Sequence, residues 1–326
     1  MMSKIFRLLC TACTAILLGP SAFVDANTDV PSQATLGTDG LPPSESSHVF
    51  SSGVAPTDRR NRPHSDIVVA ALVRGGDSQE AQDEIELVRK VYAKYGGQVT
   101  PRSAAPASAQ PDVTALSLRL VFVVGQAGLP DDVELPPTGL LLGDFFHVKI
   151  QEGYMHLAEK TLAMMALSDH ISFRFLIKVD ADSYPCLSRM THQLLKEPLE
   201  RQPLLYAGSW RPENPVRHGK YEDAVFVQAS AGTMKHYPPY HIGACYVLGE
   251  RLVDHLNKDR DMRLVLGVED AQVGMWLLGV KKVVMDLNGN FHCLCRTPSE
   301  AADHMGFFHH CKPRWVDECF NTYGAC

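Results

Sequence analysis

The chain of 326 residues lacks the features that mark several classes of protein. It has no run of basic residues and a formal net charge of -6, so its charge gives no indication of nucleic-acid binding. No Asn-x-Ser/Thr sequence occurs, so N-glycosylation gives no indication of the compartment. The longest apolar run near the start, residues 8–18, is short for a membrane span. The remaining composition is globular, with 45% hydrophobic and 21% charged residues.

The N-terminal residues 1–26 have the pattern of a targeting segment. Two basic residues precede the apolar run 8–18, and small residues permit cleavage after Ala26. A non-cleaved signal anchor is the alternative, and both interpretations stay open. Residues 27–65 are rich in Ser, Pro, Thr and Gly, which predicts a flexible stem because so few apolar groups cannot offset the entropy of ordering. We therefore expect entry into the secretory pathway and a folded domain over 66–326.

Seven cysteines follow the leader, and most lie near the C-terminal end: Cys186, Cys245, Cys293, Cys295, Cys311, Cys319 and Cys326. In an oxidising compartment they would form disulfides and leave one thiol over. A zinc site is the alternative, because His292, His309 and His310 lie near three of these cysteines. The C-x-C spacing at 293–295 differs from the C-x2-C of common zinc modules, which favours disulfides.

Buried strands alternate with helices along the folded part. The apolar runs 66–73, 118–124 and 173–179 are typical of buried strands. Helical spacing follows over 81–95 and again over 152–168. This alternation predicts an α/β fold with a mostly parallel central sheet flanked by helices. In such sheets the ligand site lies at the carboxyl ends of the strands, which directs attention to the residues after the third strand.

Two carboxylates, Asp180 and Asp182, follow that third strand with Ala181 between them. Carboxylates this close repel one another unless a cation or hydrogen-bond donors compensate. A divalent metal that bridges a diphosphate would do so, and hard oxygen ligands suit Mg²⁺ or Mn²⁺. The alternative is an ordinary strand-to-loop turn, in which Asp is a favoured residue.

A second acidic pair, Glu269 and Asp270, precedes the apolar segment 271–278. That segment has the pattern of a helix, so the pair would lie at the helix N-terminus. Acidic residues stabilise helix N-termini in any protein, which is the simple explanation for them. A catalytic base also needs a carboxylate held in a fixed place within reach of the hydroxyl that it deprotonates.

Between the two acidic pairs lies the aromatic and proline-rich segment 237–248. Its prolines fix the backbone, Gly243 permits a close approach, and the rings of Tyr237 and Tyr240 are candidates for a wall that stacks on a sugar. The alternative is an ordinary loop that leads into a buried segment.

Taken in order, these segments resemble the β-1,3-galactosyltransferase family (glycosyltransferase family 31). Residues 142–161 are similar to its G-D-x-x-x-x-D-F…Y-x-N-L-T-x-K-T stretch, and residues 175–182 are similar to F-x-x-K-T-D-D-D. Residues 237–243 follow with a Pro-Pro-Tyr sequence, and 269–274 resemble E-D-V-x-x-G. The resemblance extends from about residue 66 to about residue 292.

The resemblance implies an A-type glycosyltransferase fold, which is Rossmann-like, and an inverting mechanism. It further implies a hexosyltransferase that uses a UDP-sugar donor and Mn²⁺, with Mg²⁺ as the alternative ion. Galactose is the first expectation for the transferred hexose and N-acetylglucosamine the second. The product would be a β-1,3 linkage on a glycan or glycoconjugate acceptor. The expected location is the Golgi lumen, at the membrane if the leader is an anchor.

The resemblance also implies a role for individual residues. Asp182 would bind the metal, and Asp180 would contact the ribose or a metal-bound water. Asp270 would be the base that deprotonates the acceptor hydroxyl. His292 falls where relatives place a metal-ligand histidine, and His309 and His310 are rivals for that role. The resemblance further implies that Lys178 contacts the nucleotide and that Tyr240, Gly243 and Glu269 contact the substrate.

Several residues depart from the family pattern. Ala181 replaces the middle Asp of D-D-D, and Ala244 and Cys245 stand where glycine is usual, with His241 in place of a frequent cysteine. These changes motivate an alternative, a catalytically degenerate lumenal protein that binds sugar or nucleotide. A haloacid-dehalogenase-type phosphatase is a second alternative, since it too places Asp-x-Asp after an apolar strand. Its motif, however, is expected near the start of the domain.

Overall fold

The computed structural model describes residues 62–101, 114–126, 129, 133–216, 228, 233–265, 267–287 and 307–308, all within the compact unit 54–326. The strands are β1 (His64–Leu72), β2 (Gln98–Val99), β3 (Leu116–Val124), β4 (Leu140–Leu142), β5 (Phe145–His147), β6 (Ser172–Asp180), β7 (Tyr184–Pro185), β8 (Leu205–Arg211), β9 (Asn214–Pro215), β10 (His236–Tyr237), β11 (Tyr240–Gly249), β12 (Val283–Asp286) and β13 (Phe307–Phe308). The described α-helices are α1 (Gln79–Ala93), α2 (Leu157–Met164), α3 (Leu167–His170), α4 (Leu187–Leu194), α5 (Glu250–Lys258) and α6 (Glu269–Trp276). Single 3-10 turns span Tyr154–His156, Gln202–Leu204 and Arg260–Met262.

A central sheet of nine strands organises the fold. Eight follow the order β12-β8-β11-β6-β1-β3-β5-β4, and β2 pairs with β3. β1 is parallel to both of its neighbours, β3 and β6, and β3 is parallel to β5. β11 is antiparallel to both β6 and β8. The centre of the sheet is therefore mostly parallel, and the three strands predicted from apolar runs form its middle as β1, β3 and β6.

Helices cover both faces of this sheet, which explains why β1 is a continuous apolar run. Side chains on one face, such as Val69, pack with Val88 of α1 and Met190 of α4. Side chains on the other face, such as Val68, pack with α2, α3, α5 and α6, for example Val273. Alternate residues of a strand point to opposite faces, so both sets are buried at once.

The first predicted helix forms close to its predicted bounds. The helix expected over 81–95 is α1, which begins two residues earlier and ends before Gly96. The hydroxyl of Ser78 accepts a hydrogen bond from the backbone N–H of Ala81 (3.2 Å), which satisfies a donor that the first turn leaves open. An Asn, Asp, Ser or Thr at this position is worth about 1 kcal/mol to a helix.

The helix predicted over 152–168 is broken into a 3-10 turn, α2 and α3. Glu152 stays outside the helix, because its carboxylate accepts hydrogen bonds from the backbone N–H groups of Gly75, after β1, and Gly125, after β3. Between α2 and α3 the N–H groups of Met165 and Ala166 donate to carbonyls three residues earlier, at 3.2 and 3.1 Å. These i→i−3 hydrogen bonds form a tight turn that divides the predicted helix into two short helices.

Two expectations about compartment fall partly outside the described residues. No helix in the described ranges is both long and apolar enough to cross a bilayer, and the leader itself lies outside them. Cys186 is disulfide-bonded, whereas Cys245 is a buried free thiol. The Cys and His residues of the zinc alternative, from 292 to 311, lie outside the described part of the chain.

Candidate active site

A cleft of about 1120 Å³ lies at the carboxyl ends of β1 and β6, where the sequence predicted a ligand site. Apolar residues such as Leu157, Ile242 and Val268 form part of its wall. Its charged side chains are seven carboxylates and three cations: Asp83, Glu84, Glu152, Asp180, Asp182, Glu269 and Asp270, with Arg74, Lys160 and Lys178. The cleft is therefore strongly acidic.

The Asp-x-Asp sequence places both of its carboxylates in the lining of the cleft. Asp180 is the last residue of β6, and Asp182 follows in the turn. Ala181 between them also reaches the lining, but it packs against the hydrophobic core formed on one face of the sheet. The loss of the middle Asp of the family pattern therefore leaves the two flanking carboxylates at the cleft.

Lys178 lies buried beneath the cleft, with 1% of its surface exposed. Its ammonium donates to Asp180 Oδ1 (2.6 Å) and to the carbonyl of Gly243, and it lies 3.4 Å from Glu269 Oε2. Burial opposes the charged form, but the carboxylates of Asp180 and Glu269 outweigh it and raise the pKa of Lys178 above its usual value. The lysine expected to contact the nucleotide thus joins β6, β11 and α6.

Glu269 begins α6 and is 9% exposed. Its Oε1 accepts hydrogen bonds from the hydroxyls of Tyr246 (2.8 Å) and Thr161 (3.0 Å). Burial raises the pKa of Glu269 to about 7; the Lys178 ammonium opposes this, and the carboxylate of Asp270 adds to it. With both oxygens engaged by the protein, Glu269 supports the site from below, although the sequence prediction made it a substrate contact.

Asp270 occupies the first turn of α6, as predicted, and lines the cleft. Its Oδ1 accepts from the backbone N–H of Ala271 (2.8 Å) and its Oδ2 from that of Gly243 (3.1 Å). Burial raises the pKa of Asp270, while these two backbone hydrogen bonds oppose the shift. The carboxylate is thus fixed in orientation and more basic than a carboxylate in water.

Gly243 permits β11 to approach the acidic pair at the start of α6. A Cβ at this position would lie 2.6 Å from Glu269 Oε2 and 3.3 Å from Asp270 Cβ. The first distance is shorter than real Cβ contacts, so any side chain at 243 would displace a carboxylate. The sequence indicated that Gly243 permits a close approach, and in the structure the groups that approach it are the carboxylates of Glu269 and Asp270.

The two tyrosines of the Pro-Pro-Tyr segment do not line the cleft. Tyr237 and Tyr240 are each 5% exposed, and their rings meet edge-on at 6.3 Å between centroids. With Val216 and Ala271 they form a small separate core, and Asn214 donates to the Tyr240 hydroxyl (2.5 Å). Tyr240 therefore lies outside the lining of the cleft, with its ring covered by neighbouring side chains, and its contact with substrate stays a prediction.

The predicted metal-ligand histidine, His292, lies outside the described residues, as do its rivals His309 and His310. Within the described ranges, no three His, Cys, Asp or Glu side chains converge to form a metal site. The Asp180 and Asp182 carboxylates nevertheless fit a hard divalent cation, because they are oxygen donors in a cleft with excess negative charge. A cation that also binds substrate phosphates needs only one or two protein carboxylates.

Sequence reasoning missed an ion pair in the lining of the cleft. Lys160 and Glu152 approach to 2.8 Å, and both line the cleft. Lys160 does belong to the stretch that resembles the family's Y-x-N-L-T-x-K-T, but that resemblance gave it no role, and a Lys buried in an apolar helical pattern is unusual. Thr161 and Tyr246 donate hydrogen bonds to Glu269; Thr161 ends the same family-like stretch, whereas neither spacing nor residue type marks Tyr246.

Comparison with known proteins agrees with this geometry. The family model for galactosyltransferases matches residues 108–287, which is more than half of the chain. Over 133 residues the chain is 29% identical to β-1,3-galactosyltransferase 6 of Mus musculus, covering 40% of this chain and 39% of that protein. Over 183 residues it is 27% identical to the mouse N-acetyllactosaminide β-1,3-N-acetylglucosaminyltransferase 4, covering 51% and 48%. The matches thus span about half or less of these relatives.

Among solved structures, the chain resembles a glycosyltransferase involved in the glycosylation of the major capsid of PBCV-1, with a TM-score of 0.36 and 12% identity. The match covers 78% of this chain and 98% of that one, but its TM-score is too low to support an argument.

The family match and the mostly parallel α/β sheet, with an acidic cleft at the carboxyl ends of its strands, agree with the A-type fold of glycosyltransferases. The chain belongs to the galactosyltransferase family, as a divergent member at the identities given above.

The fit around Gly243 gives a first prediction. Gly243→Ala should reduce transfer to a sugar acceptor by about 100-fold, since a misplacement of about 1 Å at a reacting group has that effect. Initial rates with a sugar donor check this, and the thermal unfolding midpoint shows whether the variant is folded. A folded variant with the wild-type rate would contradict the tight fit to Glu269 and Asp270.

The burial of Glu269 gives a second prediction, on stability. Its pKa rises from 4.5 to about 7 on folding, so between these pH values the unfolded carboxyl is ionised while the folded one is protonated. The wild type should therefore lose stability relative to Glu269→Gln as pH rises from about 4.5 to about 7. Urea unfolding of both proteins at pH 5 and pH 7.5 measures this change. A difference in unfolding free energy that is independent of pH would contradict it.

Proposed function

We propose that this chain is an inverting hexosyltransferase that transfers a sugar from a UDP-sugar to a hydroxyl of a glycan or glycoconjugate. One observation carries the proposal, namely that Asp180, Asp182 and Asp270 line the same cleft. The first two suit a metal–diphosphate site and the third suits a general base, and the reaction needs both together.

The charge of the cleft supports a metal-dependent donor site. A nucleotide diphosphate is an anion, and carboxylates outnumber cations in the lining, so the bare diphosphate would be repelled. Asp182 would hold Mn²⁺, or Mg²⁺ in its place, together with His292, and Asp180 would contact the ribose or a metal-bound water. When bound, the ion would neutralise the negative charge that develops on the UDP leaving group.

Asp270 has the properties that a general base for this reaction needs. Two backbone N–H groups fix its carboxylate, and burial raises its pKa, so it accepts a proton more readily than an ordinary aspartate. It would remove the proton of the acceptor hydroxyl as that oxygen attacks the anomeric carbon from the face opposite UDP. Attack from that face inverts the configuration of the anomeric carbon.

The names of the relatives support a choice of donor. One is a β-1,3-galactosyltransferase and the other a β-1,3-N-acetylglucosaminyltransferase. The family match favours galactose as the first candidate and N-acetylglucosamine as the second, with a β-1,3 linkage in either case. The leader and these relatives together favour the secretory pathway, with the Golgi lumen as the proposed site of action.

A third prediction concerns the donor site. Asp182→Ala should abolish metal-dependent binding of UDP, because it removes the carboxylate assigned to the ion. Calorimetric titration of the full chain with UDP in Mn²⁺ measures the affinity. Asp169→Ala is a matched control, since this half-exposed helix residue binds Asn257 (2.9 Å) away from the cleft. Unchanged affinity in the Asp182 variant would remove the metal assignment.

A fourth prediction separates catalysis from binding. Asp270→Asn should keep the affinity for UDP and reduce transfer by about 10²–10⁴-fold, the usual cost of losing a general base. Initial rates and UDP titration of the same preparation measure the two effects. A variant that transfers sugar within tenfold of the wild-type rate would show that another group takes the proton.

A further inference from the structure

The Glu152–Lys160 ion pair lies away from the network around Lys178 and has no role in the proposed chemistry. The Lys160 side chain is 4% exposed and that of Glu152 is 19% exposed, and their charged atoms are 2.8 Å apart. Replacing such a buried pair with apolar groups is often neutral for stability, so a buried ion pair is weak support for a stabilising role. Its contacts indicate a different role.

The pair binds the backbone beyond the ends of two neighbouring strands. Glu152 Oε1 accepts from the N–H of Gly75, three residues after β1 (2.9 Å), and from the N–H of Gly125, directly after β3. Lys160 donates to the carbonyl of Val73, which also follows β1 (2.6 Å). One carboxylate and one ammonium thus hold three backbone groups together.

The contact at Gly125 is tight. A Cβ on Gly125 would lie 2.8 Å from Glu152 Oε1, closer than real Cβ atoms approach other atoms. The carboxylate therefore sits where only a glycine leaves room for it. Charge-assisted hydrogen bonds to two backbone amides are also stronger than bonds between neutral groups.

Sheet order places this pair on the donor side of the cleft. The strands run β11-β6-β1-β3, so Gly243 of β11 and the base Asp270 that it binds lie on one side of β6. β1 lies on the other side of β6, with Leu72 directly opposite Asp180. The backbone that Glu152 and Lys160 hold, just after Leu72, is therefore next to the Asp-x-Asp turn.

We propose that Glu152 and Lys160 are positioning residues that shape the wall of the nucleotide half of the cleft. Their ion pair determines the affinity for the nucleotide-sugar donor. It does not affect the transfer step or acceptor binding, which depend on the half of the cleft that contains Asp270. This inference rests on the proposed function, because it assigns the nucleotide to the side of the cleft with Asp180 and Asp182.

The double variant Glu152→Gln/Lys160→Met tests the inference without leaving a buried charge unpaired. Single variants risk misfolding, since removing one partner of a buried pair leaves the other charge uncompensated and is strongly destabilising. Glu159→Gln is the matched control: it makes the same change on α2, where Glu159 is half exposed and pairs with His156 (3.0 Å). The measurements are the Kd for UDP in Mn²⁺ by calorimetry, and kcat with KM for donor and acceptor.

The double variant should raise the Kd for UDP and the KM for donor by about tenfold or more, with kcat and acceptor KM within about twofold of wild type. The control should change none of these quantities. A double variant that keeps the wild-type melting temperature and wild-type UDP affinity overturns the inference alone, as does a loss confined to kcat. A folded wild type that does not bind UDP in Mn²⁺ overturns both the proposed function and the inference.

Discussion

The buried ammonium of Lys178 is the interaction on which the candidate site depends. It joins β6, β11 and α6 through its contacts with Asp180, the Gly243 carbonyl and Glu269. Carboxylates gathered this closely under a cleft repel one another, and a central cation offsets that repulsion. Without it, the Glu269 carboxylate would keep only the hydroxyls of Tyr246 and Thr161 as partners and would have no cation, and a buried charge that loses its counter-charge is strongly destabilising. The carboxylates proposed to bind the metal and to act as the base therefore share one structural support.

The departures from the family pattern are compatible with this arrangement. Ala181 packs against the core while the carboxylates on either side of it line the cleft. Cys245 is fully buried in the same core, and His241 is buried between the rings of Tyr206 and Trp210. Among these positions Ala181 and Ala244 line the cleft, and Ala244 stands where the family usually has glycine.

The sequence predicted the sheet because its central strands are covered on both faces and are mostly apolar. It also predicted that Asp180, Asp182 and Asp270 belong to one site, through the order of the motifs. It did not predict the direction of side chains whose orientation depends on contacts with residues far away in the sequence. The ring of Tyr240 is buried by Val216 and Ala271, and Glu152 leaves a helical pattern to bind amides beyond β1 and β3. The role of His292 remains a prediction from the resemblance.

Calorimetric titration of the folded wild-type chain with UDP, first in Mn²⁺ and then in EDTA, tests the central claim most directly, because it needs no knowledge of the acceptor. The account predicts binding in Mn²⁺ that disappears in EDTA, since an acidic cleft binds a diphosphate only through a cation. No binding in Mn²⁺, or equal binding in EDTA, would contradict a metal-dependent donor site at Asp180 and Asp182.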